Sequence, residues 1–511
     1  MKPFQADMVQ GWKDFASGKI DAATLKGKTA GFGIYPQRND KAMMRIRRVA
    51  GIVTTEDILQ VAGMLERHGG DFAHIATRQT IQMHGIPPAN VPAALEDCEA
   101  YGMYFRGGGG DTFRNTLVCD FSGLHEDTAF DVIPYARKMS ELFYSFDTAY
   151  GLPRKIKIGF ADRAADTALA QVQDLGFVAK VVDGRRCFET YFAGGIGFKP
   201  RTGIRLFDAL PAEQCVQLAF ALTRLFNDKG CRTNRAHARI RFLREDFGDE
   251  GLVRMLLAYF EEAKKDCPSC PEDCLENETY AIPSFPADAK PEDGFETWKA
   301  LAVRPLAEGL SGVRLFVPFG NFTSAELRAF AGTMDRYGAT RFQIVPTQDL
   351  LFEVPSDQLA GLYNVLVGEL GARDYTMRSF VGHVTTCVGC TICKSGLQDS
   401  PAFGRKLAES FDHALLPLDT PAKIAAAQRI LSQVKLSGCP NSCTNPPAAE
   451  FGFVCRKGPS GEEQLVPFAS VRREPLELGA LKPAEAKAIG VTAEEILSKL
   501  ALPCPCLRRI R

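Results

Sequence analysis

TTEDILQVAGMLERHG (residues 54–69) recurs at one unbroken offset as TSAELRAFAGTMDRYG (residues 323–338). Each copy begins with Thr, carries apolar residues at helical spacing and ends with Gly, which is the pattern of a capped amphipathic helix. At the same offset RQTIQM aligns with TQDLLF, and alternating apolar residues there predict a strand. The two copies predict a duplicated α+β unit.

The composition is that of a globular protein without a dominant charge. The chain has 511 residues, 45% of them hydrophobic, and 61 basic residues balance 61 acidic ones. At about 100–200 residues per domain, this length suggests roughly three to five domains. A zero formal charge argues against nucleic acid or an anionic membrane as a partner. No signal-peptide segment or membrane-spanning run is recognisable, so we expect a cytoplasmic protein.

Sixteen cysteines in a chain without an export signal indicate metal or redox use rather than a disulfide framework. The clearest group lies in TTCVGCTICKSG (residues 385–396) and LSGCPNSCTNPP (residues 436–447), which contain C-x5-C and C-x3-C. Four thiolates in two short loops can hold a tetrahedral zinc ion or an iron–sulfur cluster. Spacing alone does not choose between these two.

This pair of segments resembles the signature of the sirohaem-dependent sulfite and nitrite reductases. The resemblance implies four ligands of a [4Fe–4S] cluster, Cys387, Cys393, Cys439 and Cys443. It also implies that Cys443 bridges to the sirohaem iron and that Asn441, in the family's C-P-N-x-C form, lies beside the cofactors. Cys390, inside the first segment, is treated as spare.

Separated motifs extend the resemblance along the chain in the family's order. AMMRIRR, TFRNTL and LPRKIKIGF match the segments that supply an anion pocket, and ATRQTIQMHG matches the tetrapyrrole-binding strand. The catalytic residues implied are Arg45, Arg114, Lys155 and Lys157. The sirohaem contacts implied are Arg78, Gln79, Gln82 and His84. The loop RIRRVAGIVTT departs from the family's Leu-Pro-Gly-Gly, which leaves Arg45 in place but makes the shape of the loop an open question.

The K-I-K spacing allows a physical expectation about the two lysines. Residues two apart on a strand face the same side, so Lys155 and Lys157 should enter one pocket. Crowding of like charges should then lower the pKa of both and favour proton donation. An exposed strand with surface lysines is the alternative.

Two further segments allow either a cofactor contact or an ordinary structural role. AGGIGFKPR lacks the spacing of a dinucleotide fingerprint, and Gly194 and Gly195 would let the main chain approach the macrocycle, with a simple turn as the alternative. The run GCRTNRAHARIRF, with Arg235 and Arg239, could meet further carboxylates or form an exposed strand.

The family resemblance implies an α+β fold with pseudo-twofold duplication, in which two ferredoxin-like half-domains and two larger α/β domains hold sirohaem where they meet. The expected divisions are an N-terminal extension (1–29), half-domain 1 (30–110), sirohaem domain 1 (111–262), a Cys/Pro-rich linker (263–300), half-domain 2 (301–372), the [4Fe–4S]/sirohaem domain 2 (373–485) and a C-terminal tail (486–511).

The linker holds a second group of thiols. Cys267, Cys270 and Cys274 form C-x2-C-x3-C and suggest a second cluster or metal. No fourth ligand lies nearby in sequence, so a distant partner such as Cys504 or Cys506 would be needed. Reduced surface thiols are the alternative.

The resemblance implies a six-electron reduction of sulfite to sulfide, with reduction of nitrite to ammonia as the alternative. Two lysines favour sulfite, because nitrite-specialised members tend to have Asn at the position of Lys157. A zinc-binding structural or nucleic-acid-binding protein is the competing class. No flavin or NAD(P) motif is recognisable, so ferredoxin or a flavoprotein should donate electrons to a chain that we expect to be monomeric.

Overall fold

A computed structural model describes residues 3–103, 105–165, 167–197, 199–275, 279–468 and 487–500. Cys504, Cys506 and the side chain of Cys274 lie outside the described residues.

Nineteen strands and fourteen α-helices make up the described chain. The strands are β1 (Ile34–Pro36), β2 (Ala42–Arg47), β3 (Ile52–Thr54), β4 (Phe72–Ala76), β5 (Thr80–Ile86), β6 (Leu117–Val118), β7 (Ile158–Ala161), β8 (Leu175–Val182), β9 (Arg185–Phe192), β10 (Ile204–Pro211), β11 (Val303–Pro305), β12 (Leu310–Leu315), β13 (Asn321–Phe322), β14 (Arg341–Ile344), β15 (Leu350–Pro355), β16 (Thr385–Thr386), β17 (Val434–Ser437), β18 (Phe451–Lys457) and β19 (Glu463–Phe468). The helices are α1 (Pro3–Ala16), α2 (Ala22–Thr29), α3 (Thr55–His68), α4 (Val91–Ala100), α5 (Ile133–Ser145), α6 (Cys215–Lys229), α7 (Leu243–Asp266), α8 (Phe295–Ala302), α9 (Ser324–Arg336), α10 (Leu359–Gly368), α11 (Gly389–Ile392), α12 (Ser400–Leu415), α13 (Pro421–Gln433) and α14 (Ile489–Lys499).

The strands form four sheets that come in two similar pairs. Sheet 1 has the order β1-β2-β5-β4-β13, and sheet 3 has the order β11-β12-β15-β14-β3. Sheet 2 has the order β10-β9-β8-β7-β6, and sheet 4 has the order β16-β17-β18-β19. In sheets 2 and 4 the first three strands in sequence are parallel and the next is antiparallel. This arrangement confirms the duplicated α+β fold, while the residue limits of the domains stay a prediction.

The repeated helices begin in the same way. Thr54 precedes α3 and forms a capping box with Asp57, and Thr323 precedes α9 and forms a capping box with Glu326. In each box the threonine hydroxyl and the carboxylate satisfy backbone N–H groups that the first helical turn leaves without partners. The sequence pattern of the repeat therefore corresponds to one local structure built twice.

Sheets 1 and 3 exchange one short strand. β3 follows β2 in the first copy but pairs with β14 of the second, with Val53 opposite Phe342. β13 of the second copy pairs with β4 of the first, with Asn321 opposite His74. Each half-domain sheet is thus completed by a strand from the other copy.

Two glutamines join these sheets to the larger domains. Gln79 exchanges two hydrogen bonds of 2.9 Å with the backbone of Val118 at β6. At the equivalent position, Gln348 accepts a hydrogen bond of 3.1 Å from Thr386 N at β16. Both residues have positive φ, 55° and 69°, which turns their side chains toward the neighbouring sheet. Gln79 therefore joins sheet 1 to β6 through its amide, and its contact with sirohaem stays a prediction.

The N-terminal helices are part of the main core. Trp12 of α1 is buried with residues of sheets 1, 3 and 4 in one hydrophobic cluster, whereas the first larger domain has a separate cluster around α5, α6 and α7. Among the helices that the structure describes, none has the length and apolar character needed to cross a membrane.

The close approach of the two copies predicts a specific cost at Gly51. Its φ is +75°, and an added Cβ would lie 2.5 Å from Ile344 O and 2.9 Å from Gln79 Cβ. Gly184, in the β8–β9 hairpin, has the same φ of +75° with no atom within 4 Å of an added Cβ. Both Gly→Ala variants incur the left-handed backbone cost of about 1 kcal/mol, so we expect Gly51→Ala to lose about 1–3 kcal/mol more through overpacking. Thermal denaturation of the two variants tests this, and equal melting temperatures would contradict it.

Candidate active site

One face of sheet 1 carries a row of polar side chains. Arg45 on β2 is opposite Gln82 on β5, Gln82 is opposite His74 on β4, and His74 is opposite Asn321 on β13. Paired residues in neighbouring strands share a face, so these four side chains lie on the same side of the sheet. His74 and Asn321 were not expected from the sequence, because the contact between β4 and β13 joins distant parts of the chain.

His84 lies two residues after Gln82 on that face. Its Nδ1 lies 2.9 Å from Gln37 Nε2, and its ring stacks on Phe72 with a centroid distance of 4.8 Å. Burial, together with the neighbouring His74 and Arg45, holds the pKa of His84 well below its usual value. The ring is therefore neutral, and its Nε2 is buried without a hydrogen-bond partner among the described residues.

Arg45 and Arg114 are brought together by one carbonyl group. Gly108 O accepts 2.7 Å and 3.1 Å hydrogen bonds from the Nη1 atoms of Arg45 and Arg114. Arg114 Nη2 also donates to Gly110 O at 2.7 Å. Burial lowers the pKa of Arg114 to about 10. The neighbouring Tyr35 opposes this shift, and the charge of Arg45 adds to it. The glycine segment thus holds two guanidinium groups side by side despite their repulsion.

The two lysines lie on the same side of the segment before β7. Ile156 between them is buried and forms a parallel bridge with Phe113, so Lys155 and Lys157 project away from the core. Burial and the charges of Arg114 and Lys157 hold the pKa of Lys155 well below its usual value. Burial, followed by Arg78 and Arg239, lowers the pKa of Lys157 to about 7. Both pKa values shift in the direction that the sequence predicted.

Asp174 is a site residue that sequence reasoning missed. Its Oδ2 accepts hydrogen bonds from Lys157 N at 2.8 Å and from Arg239 Nη2 at 2.7 Å, and the side chain is fully buried. Arg235 forms ion pairs with Asp111 instead. The run 232–242 contains two 3₁₀ turns rather than the exposed strand considered as an alternative. Asp174 stands in a loop without periodicity, so no sequence pattern points to it.

Arg78 extends the cationic region toward sheet 2. Its Nη1 donates to Gln173 Oε1 at 3.1 Å, and its Nη2 donates to Ile158 O at 3.0 Å. Asn115 Nδ2 fixes the same turn through bonds of 3.1 Å to the carbonyls of Arg78 and Gln79. Burial lowers the pKa of Arg78 to about 9, opposed by Asp174. Its Nε is buried without a hydrogen-bond partner in the described part of the chain.

The cysteine loops follow neighbouring parallel strands. Thr386 of β16 pairs with Leu436 of β17, so the loops after these strands start side by side. Cys387 follows β16 directly, and its Sγ accepts a 3.2 Å hydrogen bond from Gly438 N after β17. Cys439 is the next residue, and Asn441 donates hydrogen bonds to its thiol. The carboxyl ends of two strands therefore bring the two predicted cysteine segments together.

The β1–β2 loop supports the segment that contains Cys393. Arg38 N donates to Ile392 O at 3.0 Å, and Arg38 Nη2 donates to Gly396 O at 3.0 Å. Cys390 N donates to Gln398 O at 2.9 Å. The β1–β2 loop therefore fixes the backbone on both sides of Cys393.

Cys443 links the cysteine group to the cations. Thr77 Oγ1, in the β4–β5 turn, donates to Cys443 O at 2.7 Å. Desolvation by the surrounding protein is the main cause that raises the pKa of Cys443 to about 12. The neighbouring thiols of Cys387 and Cys439 add to this shift, and the charge of Lys155 opposes it. The pKa of Lys157 also responds to Cys443. Cys443 is thus within electrostatic range of both groups.

These residues fit an anionic macrocycle and an iron–sulfur cluster. Four thiols in loops after two neighbouring strands suit a cluster. The buried Nε of Arg78 and Nε2 of His84, which have no partner among the described residues, suit a ligand with polar edges. Among the described His, Cys, Asp and Glu residues, no group of three encloses the position of a single metal ion.

Gly194 and Gly195 are held by protein contacts. An added Cβ on Gly194 would lie 2.7 Å from Gln173 O, and one on Gly195 would lie 2.7 Å from Arg241 Nη1. The backbone contact accounts for glycine at position 194, whereas the contact at position 195 is with a side chain. The approach of both glycines to the macrocycle stays a prediction. Gly194 still borders the site, since Gln173 binds Arg78.

Comparisons with known proteins place the chain in a family. Residues 35–101 match the nitrite/sulfite reductase ferredoxin-like half domain, and residues 109–264 match the nitrite and sulphite reductase 4Fe-4S domain. The second match ends before the four cysteines at 387–443, so their assignment as ligands rests on the motifs and geometry above.

Two relatives and one solved structure agree with this placement. The ferredoxin–nitrite reductase of Synechococcus elongatus is 26% identical, covering 88% of this chain and 84% of the relative. The sulfite reductase [ferredoxin] 1 of Mycolicibacterium paratuberculosis is 25% identical, and the match covers 85% of this chain and 76% of the relative. The structure of the Mycobacterium tuberculosis NirA protein shares the fold, with a TM-score of 0.75 at 21% sequence identity. The match covers 96% of this chain and 90% of the NirA chain. The chain therefore contains two domains of the nitrite and sulfite reductases, the family whose cofactors are sirohaem and a [4Fe–4S] cluster.

Proposed function

We propose that this protein reduces sulfite to sulfide, with ferredoxin as the electron donor. The observation that carries the proposal is the pair of lysines, Lys155 and Lys157, on one side of an extended segment beside Arg114 and Cys443. Sulfite has three oxygens and up to two negative charges, whereas nitrite has two oxygens and one charge. A pocket with several adjacent cations suits the more highly charged anion.

The cofactors would be held by residues from three parts of the chain. Cys387, Cys393, Cys439 and Cys443 would bind the cluster, with Cys443 also at the sirohaem iron. Arg78, Gln82 and His84 would contact the macrocycle, and two of their polar atoms, Arg78 Nε and His84 Nε2, have no hydrogen-bond partner among the described residues. When bound, sirohaem and the cluster supply the electrons that side chains cannot store.

The protein's own side chains would bind the anion and deliver protons. Arg45 and Arg114 are fixed at Gly108 O and offer forked N–H donors to the oxygens. Lys157, with a pKa of about 7, can give up a proton near neutral pH and recover one from solvent. Asp174 holds the backbone of Lys157, so the ammonium group is positioned without being neutralised by direct pairing.

Nitrite reduction is the second candidate. Several relatives, including that of Synechococcus elongatus, are named ferredoxin–nitrite reductases. Relatives of both substrate classes carry ferredoxin in their names, which supports ferredoxin over a flavoprotein as donor. Cytoplasmic location and a monomeric state stay predictions from the sequence.

Substrate preference can be tested by exchanging one lysine. With reduced methyl viologen as donor, we expect kcat/KM to be higher for sulfite than for nitrite. Lys157→Asn should lower kcat/KM for sulfite by about 10²-fold, the size of a typical general-acid contribution, and should affect nitrite less. Lys229→Asn, an exposed lysine at the end of α6, is the control. A wild-type protein that clearly prefers nitrite would overturn the sulfite assignment.

The pKa of Lys157 predicts a pH dependence. Because this pKa is lowered to about 7, the ammonium is charged below that pH and neutral above it. Nitrite keeps one charge near neutrality, so with nitrite as substrate kcat/KM should fall as the pH rises through about 7. Lys157→Arg keeps its charge and should remove this step from the profile. An unchanged step in that variant would assign the titration to another group.

The bridging role of Cys443 can be separated from that of its neighbour. Cys443→Ser should abolish sulfite reduction and the magnetic coupling between sirohaem and the cluster, because one thiolate joins them. Cys390→Ser should leave both unchanged, since Cys390 is not one of the four ligands that the family motif implies. Retained coupling and activity in Cys443→Ser would contradict the bridge.

A further inference from the structure

The C-x2-C-x3-C segment after α7 folds back onto the first turn of α6. Cys267 and Cys270 are buried, with exposures of 3% and 0%. Gln217 Nε2 donates to Cys267 O at 2.9 Å, and Cys270 N donates to Glu213 O at 2.7 Å. These bonds fix the segment on both sides of residue 215.

Residue 215 is itself a cysteine. Cys215 is the first residue of α6, is fully buried, and belongs to the same hydrophobic cluster as Cys267 and Cys270. Burial, followed by the nearby thiols of Cys270 and Cys267, holds the pKa of Cys215 well above its usual value. Three thiols from two distant parts of the sequence therefore share one interior region.

The third cysteine of the motif follows in a short turn on the same side. The turn Glu272–Cys274 is tied to β9 by an ion pair of 2.8 Å between Arg186 Nη2 and Glu272 Oε1. Leu275, the next residue, packs against the cluster that contains Cys215. The turn is thus anchored to β9, whose Cys187 pairs with Pro211 shortly before α6.

We propose that Cys215, Cys267, Cys270 and Cys274 form a second metal site of four thiolates, separate from the catalytic cysteines. Its ligand chemistry is that of a thiophilic centre, an iron–sulfur cluster or a zinc ion. Cys215 supplies the fourth ligand that the linker motif lacks in sequence, in place of the more distant Cys504 or Cys506. The centre would join the start of α6 to the end of α7 and would neutralise thiolates that burial otherwise disfavours.

The competing interpretation is that these are ordinary core thiols. Cys98 is such a thiol: it is buried on α4 with apolar neighbours. Among the described residues, the thiols around Cys215 do not surround a point where one metal ion could bind. The same is true of the four cysteines of the family motif, so this property does not separate the two groups. Cys98 therefore provides a matched buried cysteine for the experiment.

Metal analysis of the full-length protein, purified without oxygen, tests the proposal. Iron, zinc and sirohaem are measured in the wild type and in the variants Cys215→Ala, Cys270→Ala and Cys98→Ala. The catalytic cluster accounts for about four non-haem irons per sirohaem. A second cluster would add about four more, and a zinc site would add about one zinc. We expect the excess metal to be absent from Cys215→Ala and Cys270→Ala and to be retained in Cys98→Ala.

Two results would overturn the proposal. The first is a wild-type protein with about four non-haem irons per sirohaem and no zinc, which decides the matter even if a variant fails to fold. The second is an excess that survives in folded Cys215→Ala. Sulfite reduction with methyl viologen in the same samples reports on the catalytic centre independently, so failure of this proposal is distinguishable from failure of the proposed function.

Discussion

Mutual repulsion among buried cations is the constraint on which the rest of this structure depends. Arg78, Arg114, Lys155 and Lys157 lie close enough to lower one another's pKa values, and Asp174 is the carboxylate that most directly opposes them. Isolated cations in such an environment would be costly, because charge is poorly screened away from water. Backbone carbonyls hold the two arginines, because they attract N–H groups without neutralising the charge. In the function proposed above, an anionic substrate and the carboxylates of sirohaem would supply the missing negative charge, so binding would relieve a repulsion built into the fold.

Separate sheets must meet for this arrangement to exist. Sheet 1 supplies Arg45 and His84 on its polar face, the strands of sheet 2 position Lys157, and the carboxyl ends of β16 and β17 present Cys443. Small contacts fix these parts relative to one another, such as the glutamine amide between β5 and β6 and the bond from Thr77 to Cys443 O. Positional accuracy in the site therefore depends on contacts that carry no chemistry themselves.

The sequence predicted what is local or repeated and missed what depends on distant contacts. Helix caps at Thr54 and Thr323, the alternation around Ile156 and the grouping of the cysteine segments follow from short patterns, and the structure contains all of them. The contact of Gln79 with Val118 was not anticipated, because a glutamine that binds a cofactor and one that binds a backbone have the same local sequence. The sequence analysis missed the role of Asp174 and the approach of Cys215 to Cys270. Both depend on the packing of separate elements, and neither produces a periodic pattern in the sequence.

The exchange of β3 and β13 has a consequence for the origin of the chain. A protein with one copy of the repeat would have a half-domain sheet that lacks its fifth strand, with an open edge at β4 that invites pairing with another chain. Two such proteins would each supply the fifth strand that the other lacks, as in a domain-swapped dimer. The present chain has the connectivity of that dimer after gene fusion. The two halves differ accordingly: the first carries the cations around Arg78 and Lys157, and the second carries the cysteine segments at 385–396 and 436–447.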